Sequence, residues 1–469
     1  MTNEDDSEQL RFMEDFDIRS YDAVGDGATN DTTPLQSAID ACAARGGGTV
    51  VVPAGRYVTG TIVLRSHVHL RFEPGASLLA SLDLAHFPSF PSRLPSYNGE
   101  METHKALLLA DEAEDISVTG PGTIDGRCLE LDIPYKLPSF ANRPRLIHFR
   151  GCRKVRVRDI TLRDAATWVQ HYLLCEDLVI DGITVNSREN KDIAAVRYAT
   201  CKGLNQDGLD IDSCREVRVG NCSINSGDDA IVLKSRPGLP CQDVVVVNCT
   251  VSSNASGLKL GTESNGDFRR VCISNCTVRD TRCDGISVIM VDGAACEQIS
   301  FQGILMDNIK GSAIFIRLGN RGRPIRRDDP RPSMGSMRDI SVSDVLATRI
   351  GGWCGNNDTT IRNGASVTGL PEHRVDNVSL TNISIRGIGG ASSESVGREI
   401  PELAENYPTG RMFGELPAYG LYCRHIDGLW LRDCRFFTDI PDPRPVLVME
   451  DVLNAEIHEP LLEHARRTR

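Results

Sequence analysis

The stretch that decides the fold runs from position 216 to 281 and repeats one pattern three times. The copies are EVRVGNCSINSGDD at 216–229, DVVVVNCTVSSNA at 243–255 and RRVCISNCTVRDT at 269–281. Each joins an alternating apolar strand to a second short strand through an Asn-Cys corner. The corners, which recur every 27 residues, are Asn221-Cys222, Asn248-Cys249 and Asn275-Cys276. A period of this length, with several short strands in each unit, predicts a stacked solenoid.

The same plan continues on both sides of these copies. Upstream it reads DISVTGPGTIDG, KVRVRDITLRDA and DLVIDGITVNS, and downstream ISFQGILM, DISVSDVLA and NVSLTNISIRGI. We predict an all-β chain, a single-stranded right-handed parallel β-helix, in which inward Val, Ile and Leu stack between coils and corner Asn side chains form ladders. A β-propeller blade needs a longer repeat, and sandwich strands would not carry one corner at fixed spacing.

A single helix is predicted ahead of the β stack. The segment 32–44, TTPLQSAIDACAA, offers Thr32 or Thr33 as N-cap, and the glycines at 46–48 end it. Its apolar face consists of Leu35, Ile39 and Cys42. We expect this helix to cap the first coil and cover its exposed edge.

The organisation predicted is one domain with two tails. A polar N-terminal tail occupies 1–16, the β-helix 17–455 and a C-terminal tail 456–469. Insertions rich in Pro, Arg, Gly or Ser interrupt the rhythm near 87–101, 188–204, 321–337 and 390–416. On a solenoid, insertions project from the sides, so these are expected to wall a cleft.

Composition excludes several classes of partner. The net charge of −12 argues against nucleic acid and against an anionic membrane surface. The opening MTNEDDSEQL shows neither a basic nor an apolar leader region, so a cytoplasmic location is expected, or secretion if a leader has been removed. The 16 scattered cysteines then read as reduced, buried thiols. From the sequence we predict no metal and no cofactor, and the sequence does not indicate an oligomeric state.

Three carboxylates stand out: Asp207 in NQDG, and Asp228 and Asp229 in SGDD. Asp207 and Asp228 are about one coil apart, so they can lie side by side on neighbouring strands. Like charges at such a distance push their pKa values apart, which equips one acid to protonate a glycosidic oxygen and another to activate water. The ladder could also span the wider carboxylate separation of an inverting glycosidase. A solvated turn or a calcium-binding loop is the plainer interpretation.

Cations follow these acids on the outer side of the predicted strands. Because Ile231, Leu258 and Ile316 fit the core, the alternating neighbours point outward. These outward residues are Lys234, Lys259, Glu263 and Arg317. They are candidate substrate-binding residues, with an ordinary salt bridge to a nearby carboxylate as the alternative for each cation.

With these motifs the chain resembles glycoside hydrolase family 28, the pectin-degrading polygalacturonases and rhamnogalacturonan hydrolases. The specific motifs are the W-x-x-H of Trp168 and His171, then NQDGLDIDSC and SGDDAIVLKS. The resemblance implies that Asp228 is the general acid, that Asp207 and Asp229 activate water with inversion, and that no metal takes part. It adds Asn205 and His171 to the substrate-binding candidates.

Two departures mark this chain as an atypical, bacterial-type member. Ala255-Ser256-Gly257 stands where polygalacturonases have Gly-His-Gly, and the segment 285–290, GISVIM, lacks their Arg-Ile-Lys. The helper histidine and the usual grip on the substrate carboxylate are therefore missing. An exo-acting or rhamnogalacturonan-type enzyme on pectin-derived, uronate-containing oligosaccharides fits better than an endo-polygalacturonase.

Two other hypotheses stay open at this point. A β-helix lyase or epimerase would use a base near C5 and a cation such as Lys259 or Arg317 against the uronate carboxylate. A non-catalytic carbohydrate-binding β-helix would explain the lost histidine, although three retained adjacent acids argue against it.

Overall fold

The computed structural model describes residues 15–92, 103–130, 142–188, 205–326, 328–354 and 360–458, without the side chains of 353 and 354. Its one α-helix, α1, spans Thr32–Ala44, and single 3₁₀ turns occur at Ile18–Tyr21, Leu84–His86 and Ser393–Ser395. Within these ranges there is no helix with the length and apolar character needed to cross a membrane.

Strands numbered in chain order wind into three parallel faces. The first face contains β1 (Phe16–Asp17), β3 (Gly48–Val52), β6 (Val68–Phe72), β9 (Glu114–Thr119), β12 (Arg153–Arg158), β15 (Glu176–Asp181), β18 (Arg215–Gly220), β21 (Cys241–Val247) and β24 (Phe268–Ser274). The second contains β2 (Asp26–Asn30), β4 (Gly55–Thr59), β7 (Ala76–Ala80), β10 (Thr123–Asp125), β13 (Thr161–Arg163), β16 (Thr184–Ser187), β19 (Ser223–Ser226), β22 (Thr250–Ser253), β25 (Thr277–Thr281) and β35 (Arg435–Ile440).

The third face carries the site. It contains β5 (Ile62–Val63), β8 (Ala106–Asp111), β11 (Arg145–Arg150), β14 (Gln170–Leu173), β17 (Leu209–Asp212), β20 (Ile231–Ser235), β23 (Leu258–Ser264), β26 (Ile286–Met290), β28 (Ile314–Leu318) and β32 (Ala365–Thr368). Five long strands span two faces: β27 (Ala295–Ile309), β29 (Ser336–Ile350), β33 (Val375–Gly389), β34 (Leu421–Arg432) and β36 (Leu447–His458). The strands β30 (Trp353–Cys354) and β31 (Thr360–Ile361) form a separate antiparallel pair.

The core is a set of apolar stacks along the helix axis. On the third face, parallel register aligns a fully buried column. Its members are Leu209, Ile231, Leu258, Ile286 and Ile314. Each coil adds one such layer about 4.8 Å further along, so the stacking confirms the predicted parallel β-helix.

The Asn-Cys corners explain why that pair recurs. Asn221, Asn248 and Asn275 have φ values of 56°, 56° and 53°, in the left-handed region that Asn tolerates better than most residues. Asn248 Nδ2 donates to Asn221 Oδ1 at 3.4 Å, and Asn221 Nδ2 donates to Asp181 Oδ1 at 2.8 Å. The predicted side-chain ladder is therefore present between these coils. The described cysteine side chains are buried, apart from the partly exposed Cys272 and Cys283.

Helix α1 packs on the first coil as expected, with Leu35, Ile39 and Cys42 fully buried. The predicted capping is wrong in one respect, because Thr32 is already helical and Asp31 occupies the N-cap without a side-chain cap bond. The Asp31 carboxylate instead accepts hydrogen bonds from the backbone of residues 24 and 25, which ties the preceding loop.

The predicted domain limits and insertions can be compared with the strands only where residues are described. The first strand begins at Phe16 and the last ends at His458, so the β-helix extends slightly past 455. Most of the insertions predicted near 87–101 and 188–204 lies outside the described residues. The insertion near 390–416 lies between β33 and β34 and packs on the third face.

The corner geometry gives a stability prediction. Replacing Asn248 with Ala should lower the free energy of unfolding by about 1 kcal/mol, because Ala is strained at positive φ and loses the ladder bond. Asn248→Gly is the matched control, since Gly adopts this conformation freely and loses only the ladder bond. Urea unfolding of both variants measures the difference, and an Ala variant as stable as the Gly variant would contradict the role of the backbone conformation.

Candidate active site

The three predicted aspartates come together at the turn from the second face to the third. Asp207 precedes β17, and Asp228 and Asp229 precede β20, the neighbouring strand one coil on. One carboxylate oxygen from each lies within 4.8 Å of the others. The juxtaposition expected from their spacing is therefore observed. The separation of about 6.5–9.5 Å that is usual in inverting glycosidases refers to the carboxyl groups and not to their nearest oxygen atoms, so the wide separation expected from the sequence stays a prediction.

Two glycines allow this close approach. A Cβ at Gly227 would lie 2.4 Å from Gln206 Oε1, and a Cβ at Gly208 would lie 2.5 Å from Ile224 Cγ2. Ser226 Oγ donates to the carbonyl of Asp228 at 2.6 Å and fixes the turn. The Asp-Gly and Gly-Asp-Asp motifs are thus needed for packing as well as for chemistry.

The three acids differ in exposure and in proton affinity. Asp228 is partly exposed, whereas Asp207 and Asp229 are buried. Burial and the charge of Asp229 raise the pKa of Asp228 to about 6, against the opposing effect of Lys259. Burial, followed by the charges of Asp210 and Asp228, raises the pKa of Asp207 well above its ordinary value. The accessible acid therefore holds a proton in mildly acidic solution.

Asp229 is bound on both of its oxygens by donors. Ser256 N donates to Oδ1 at 2.9 Å, and Lys259 Nζ donates to Oδ2 at 2.6 Å. Burial is the largest single effect on the pKa of Lys259 and lowers it, but the charges of Asp229 and Tyr407 and the hydrogen bond to Asp229 together outweigh burial, so the pKa is raised. Both oxygens of Asp229 therefore act as hydrogen-bond acceptors within the protein.

A second buried cation lies behind the cluster. Lys234 Nζ is 3.0 Å from Glu263 Oε2, 3.3 Å from Asp210 Oδ1 and 4.0 Å from Asp207 Oδ2. Burial raises the pKa of Asp210 to about 7, with Lys234 opposing. Sequence reasoning missed Asp210, although the alternation in NQDGLDIDSC already places it opposite to the inward Leu209. Lys234 and Glu263 therefore lie at the site, but they are engaged with each other.

The predicted substrate-binding role of His171 needs correction, because its side chain is fully buried. His171 Nε2 lies 3.2 Å from Asp212 Oδ2, which also accepts from Arg236 at 2.7 Å, and the ring stacks on His148. Burial, followed by the charge of Arg145, lowers the pKa of His171 well below its usual value. The W-x-x-H motif thus supports the wall of the groove from behind.

Arg317 is the second correction. Its fully buried guanidinium donates to the carbonyls of Gly369 at 2.9 Å and Glu402 at 2.6 Å. Alternation correctly placed it outside the core, but the chain at 390–418 lies over it. The residue fastens this cover and does not face the groove.

The cover, here called the covering segment (390–418), buries the outer side of β26 and β28. It forms a second apolar cluster with that face, to which the face contributes Ile289, Val291, Phe315 and Tyr422, and the segment Ile400, Phe413, Leu416 and Ala418. Gly410 N donates to Asp284 Oδ2 at 3.0 Å, and Arg424 donates to the carbonyl of Ile400 at 2.5 Å. The covered part begins two coils beyond Asp228 and Asp229, about 10 Å along the axis.

Two further residues border the open part of the site. Asn205, a predicted substrate-binding residue, lies 3.4 Å from Asp228 Oδ2 through its Nδ2. Tyr407 of the covering segment, which the sequence did not indicate, is 58% exposed and interacts electrostatically with Lys259. Arg321 lies 5.7 Å from the centre of the Tyr407 ring and pairs with Asp292. An exposed aromatic ring beside charged groups is a suitable surface for a sugar.

The three aspartate oxygens are close enough together for a cation to bridge them. Lys259 and Lys234, however, already supply positive charge to this cluster. The cluster thus combines acidic side chains with built-in positive charge.

Comparison with known proteins agrees with this geometry. The family model for glycosyl hydrolases family 28 matches residues 42–401. A probable polygalacturonase of Vitis vinifera is 30% identical over 46% of this chain and 43% of its own length. An exo-poly-alpha-D-galacturonosidase of Dickeya chrysanthemi is 26% identical over 46% of this chain and 41% of its own.

Among solved structures, the family 28 exopolygalacturonase of Yersinia enterocolitica is 16% identical, with a TM-score of 0.68 over 95% of this chain and 79% of that chain. That likeness supports the fold. The chain spans less than half of the length of the two curated relatives. Because the family model covers most of its residues, the chain belongs to glycosyl hydrolases family 28.

The buried network gives a prediction about stability. Asp212→Asn should lower the free energy of unfolding by about 3–5 kcal/mol, because it removes the carboxylate that pairs with the buried Arg236. Asp243→Asn is the matched control, since its partner Arg270 is exposed and the loss should be much smaller. Denaturant unfolding measures both, and equal losses would contradict the structural role given to this network.

Proposed function

We propose that this protein is a glycoside hydrolase that cleaves galacturonosyl bonds in pectin-derived oligosaccharides. The observation that carries the proposal is the partly exposed Asp228, with its pKa raised to about 6, in front of the buried Asp207 and Asp229. Membership of family 28 and the names of the two curated relatives support the substrate class.

In the proposed mechanism Asp228 protonates the glycosidic oxygen as the bond to the anomeric carbon breaks. Asp207 and Asp229 hold a water molecule, one of them takes its proton, and the oxygen attacks the anomeric carbon. Asp228 thus loses a proton and its neighbour gains one. The proposed stereochemical outcome is inversion at the anomeric carbon. The first-formed anomer of the product tests it directly.

The first test concerns the general acid. Asp228→Asn should lower kcat by about 10²–10⁴-fold, because Asn cannot protonate the leaving oxygen. In the wild type, kcat/KM should fall as the pH rises past about 6, where Asp228 loses its proton. Rates on a panel of galacturonan and rhamnogalacturonan oligosaccharides, followed by NMR, also give the bond cleaved and the first-formed anomer.

Asn225→Asp serves as a control that adds a carboxylate on β19 without changing Asp207, Asp228 or Asp229. Nearly full activity of Asp228→Asn on the best substrate would overturn the role of Asp228. A product that absorbs in the ultraviolet as an unsaturated uronate would favour the lyase alternative. A first-formed product with the same anomeric configuration as the cleaved bond, α from α or β from β, would exclude inversion.

We further propose that the enzyme acts from a chain end. The covering segment occupies the outer side of β26 and β28, where a long polysaccharide would otherwise continue past the acids. Its attachment through Arg317, Arg424 and Asp284 makes it a fixed wall. The name of the Dickeya chrysanthemi relative, an exo-acting galacturonosidase, agrees with this mode.

This mode is tested by the length of early products. The wild type should release one short product from polygalacturonate, because the wall admits only a chain end. Arg317→Leu removes the hydrogen bond from the guanidinium to the carbonyl of Glu402. This variant should loosen the covering segment and release products of other lengths as well. Arg338→Leu, from an exposed ion pair with Glu297, is the control and should keep the single product. A wild-type digest that contains all lengths from the start would contradict the proposal.

A further inference from the structure

The mechanism proposed above leaves open which buried aspartate removes the proton from water. Asp207 and Asp229 both lie next to Asp228, but their surroundings differ. Among the described residues, Asp207 Oδ1 accepts no hydrogen bond, and the nearest cation to its Oδ2 is Lys234 at 4.0 Å. Asp229 has a donor on each oxygen, one of them the cation Lys259 at 2.6 Å.

We propose that Lys259 is a positioning residue that holds the Asp229 carboxylate through their ion pair, so that Asp229 is the base and Asp207 only holds the water. This inference rests on the proposed hydrolase function and deepens it. Lys259 is available for the task because parallel register places it beside Val232, one coil after the acids, with its side chain outside the core. From there it reaches back to Asp229.

The neighbouring strand shows why one lysine carries this task. Ser287 lies beside Lys259 in the parallel register, and it is a fully buried, uncharged side chain. The residue at the corner, Ser256, contributes only its backbone N–H to Asp229. Of the side chains at these three positions, only Lys259 carries a charge.

Other titratable groups face the Lys259–Asp229 pair from three parts of the fold, and they also influence its pH dependence. From the corners these are Asp207, Asp228, Cys283 and Asp284; from the third face Asp210, Lys234 and Glu263; and from the covering segment Tyr407. Most of them are acids, so loss of the Lys259 charge leaves a cluster that retains protons to a higher pH. The sign of the expected shift is therefore upward.

The first experiment compares Lys259→Gln with the wild type on the best substrate. Gln can still donate a hydrogen bond to Asp229 but carries no charge. Both limbs of the pH profile of kcat/KM should move upward by about 1–3 pH units, the range for loss of an adjacent opposite charge, and kcat at the wild-type optimum should fall at least about tenfold with it. Lys259→Arg keeps the charge and should keep the profile. If Lys259→Gln raises KM but leaves both limbs of the pH profile in place, Lys259 binds the carboxylate of the substrate instead. That result would overturn the proposal.

The second experiment compares the two candidate bases. Asp207→Asn mimics a protonated Asp207 and should retain at least about tenfold more kcat than Asp229→Asn, which removes the base itself. The reverse order would assign the base to Asp207.

A third measurement needs no substrate and separates this inference from the proposed function. The melting temperature of Lys259→Gln should lie below that of the wild type at pH 7. The gap should narrow toward pH 4, because protonation of carboxylates in the cluster, such as Asp228 with its pKa of about 6, removes negative charge that Lys259 compensates. Arg270→Gln, which removes an exposed cation, is the control. A wild type without activity on any pectic oligosaccharide would refute the proposed function alone, whereas a gap that does not change with pH would refute the pairing of Lys259 with Asp229.

Discussion

The register of the parallel third face is the constraint on which the site depends. Because each strand lies one coil, about 4.8 Å, from the next, a residue at a given position in one coil touches its counterpart in the following coil. Asp207, Asp229 and Lys259 come from three successive coils and meet for this reason. A shift of one residue in any of these strands would turn the charged side chains into the core. The packing of the apolar column beneath them therefore determines the positions of the charged side chains as well as the fold.

The charges in the groove are balanced in pairs, and this balance separates the acids by role. Lys259 compensates Asp229, and Lys234 is shared between Glu263 and Asp210. In the described part of the chain no cation forms an ion pair with Asp228, whose oxygens accept hydrogen bonds from Asn205 Nδ2 and from the backbone N–H of Asp229. The uncompensated acid is also the one that solvent reaches, which is the combination that proton donation to a sugar oxygen requires.

The sequence predicted the solenoid and the meeting of the three aspartates, because both follow from a repeat period and strand alternation. It predicted the capping helix from its helically spaced apolar face and the glycines that follow it. It failed for His171 and Arg317, because alternation tells only whether a side chain leaves the core. What lies over the outer face depends on insertions with no periodic pattern, such as the covering segment. Tyr407 was missed for the same reason, since its position is set by that segment and not by the coil. Asp210 could have been found, as its alternation with Leu209 and Ile211 is visible in the sequence.

The covering segment also has a consequence for turnover. A groove that is walled two coils beyond the acids leaves the released sugar and the shortened chain to exchange through the same opening. Under the proposed chain-end mode, the substrate chain cannot pass beyond this wall, so each cleavage is followed by release of at least one product through that opening. The enzyme would then work in a distributive manner, with the small product competing directly with the next chain end for the same space.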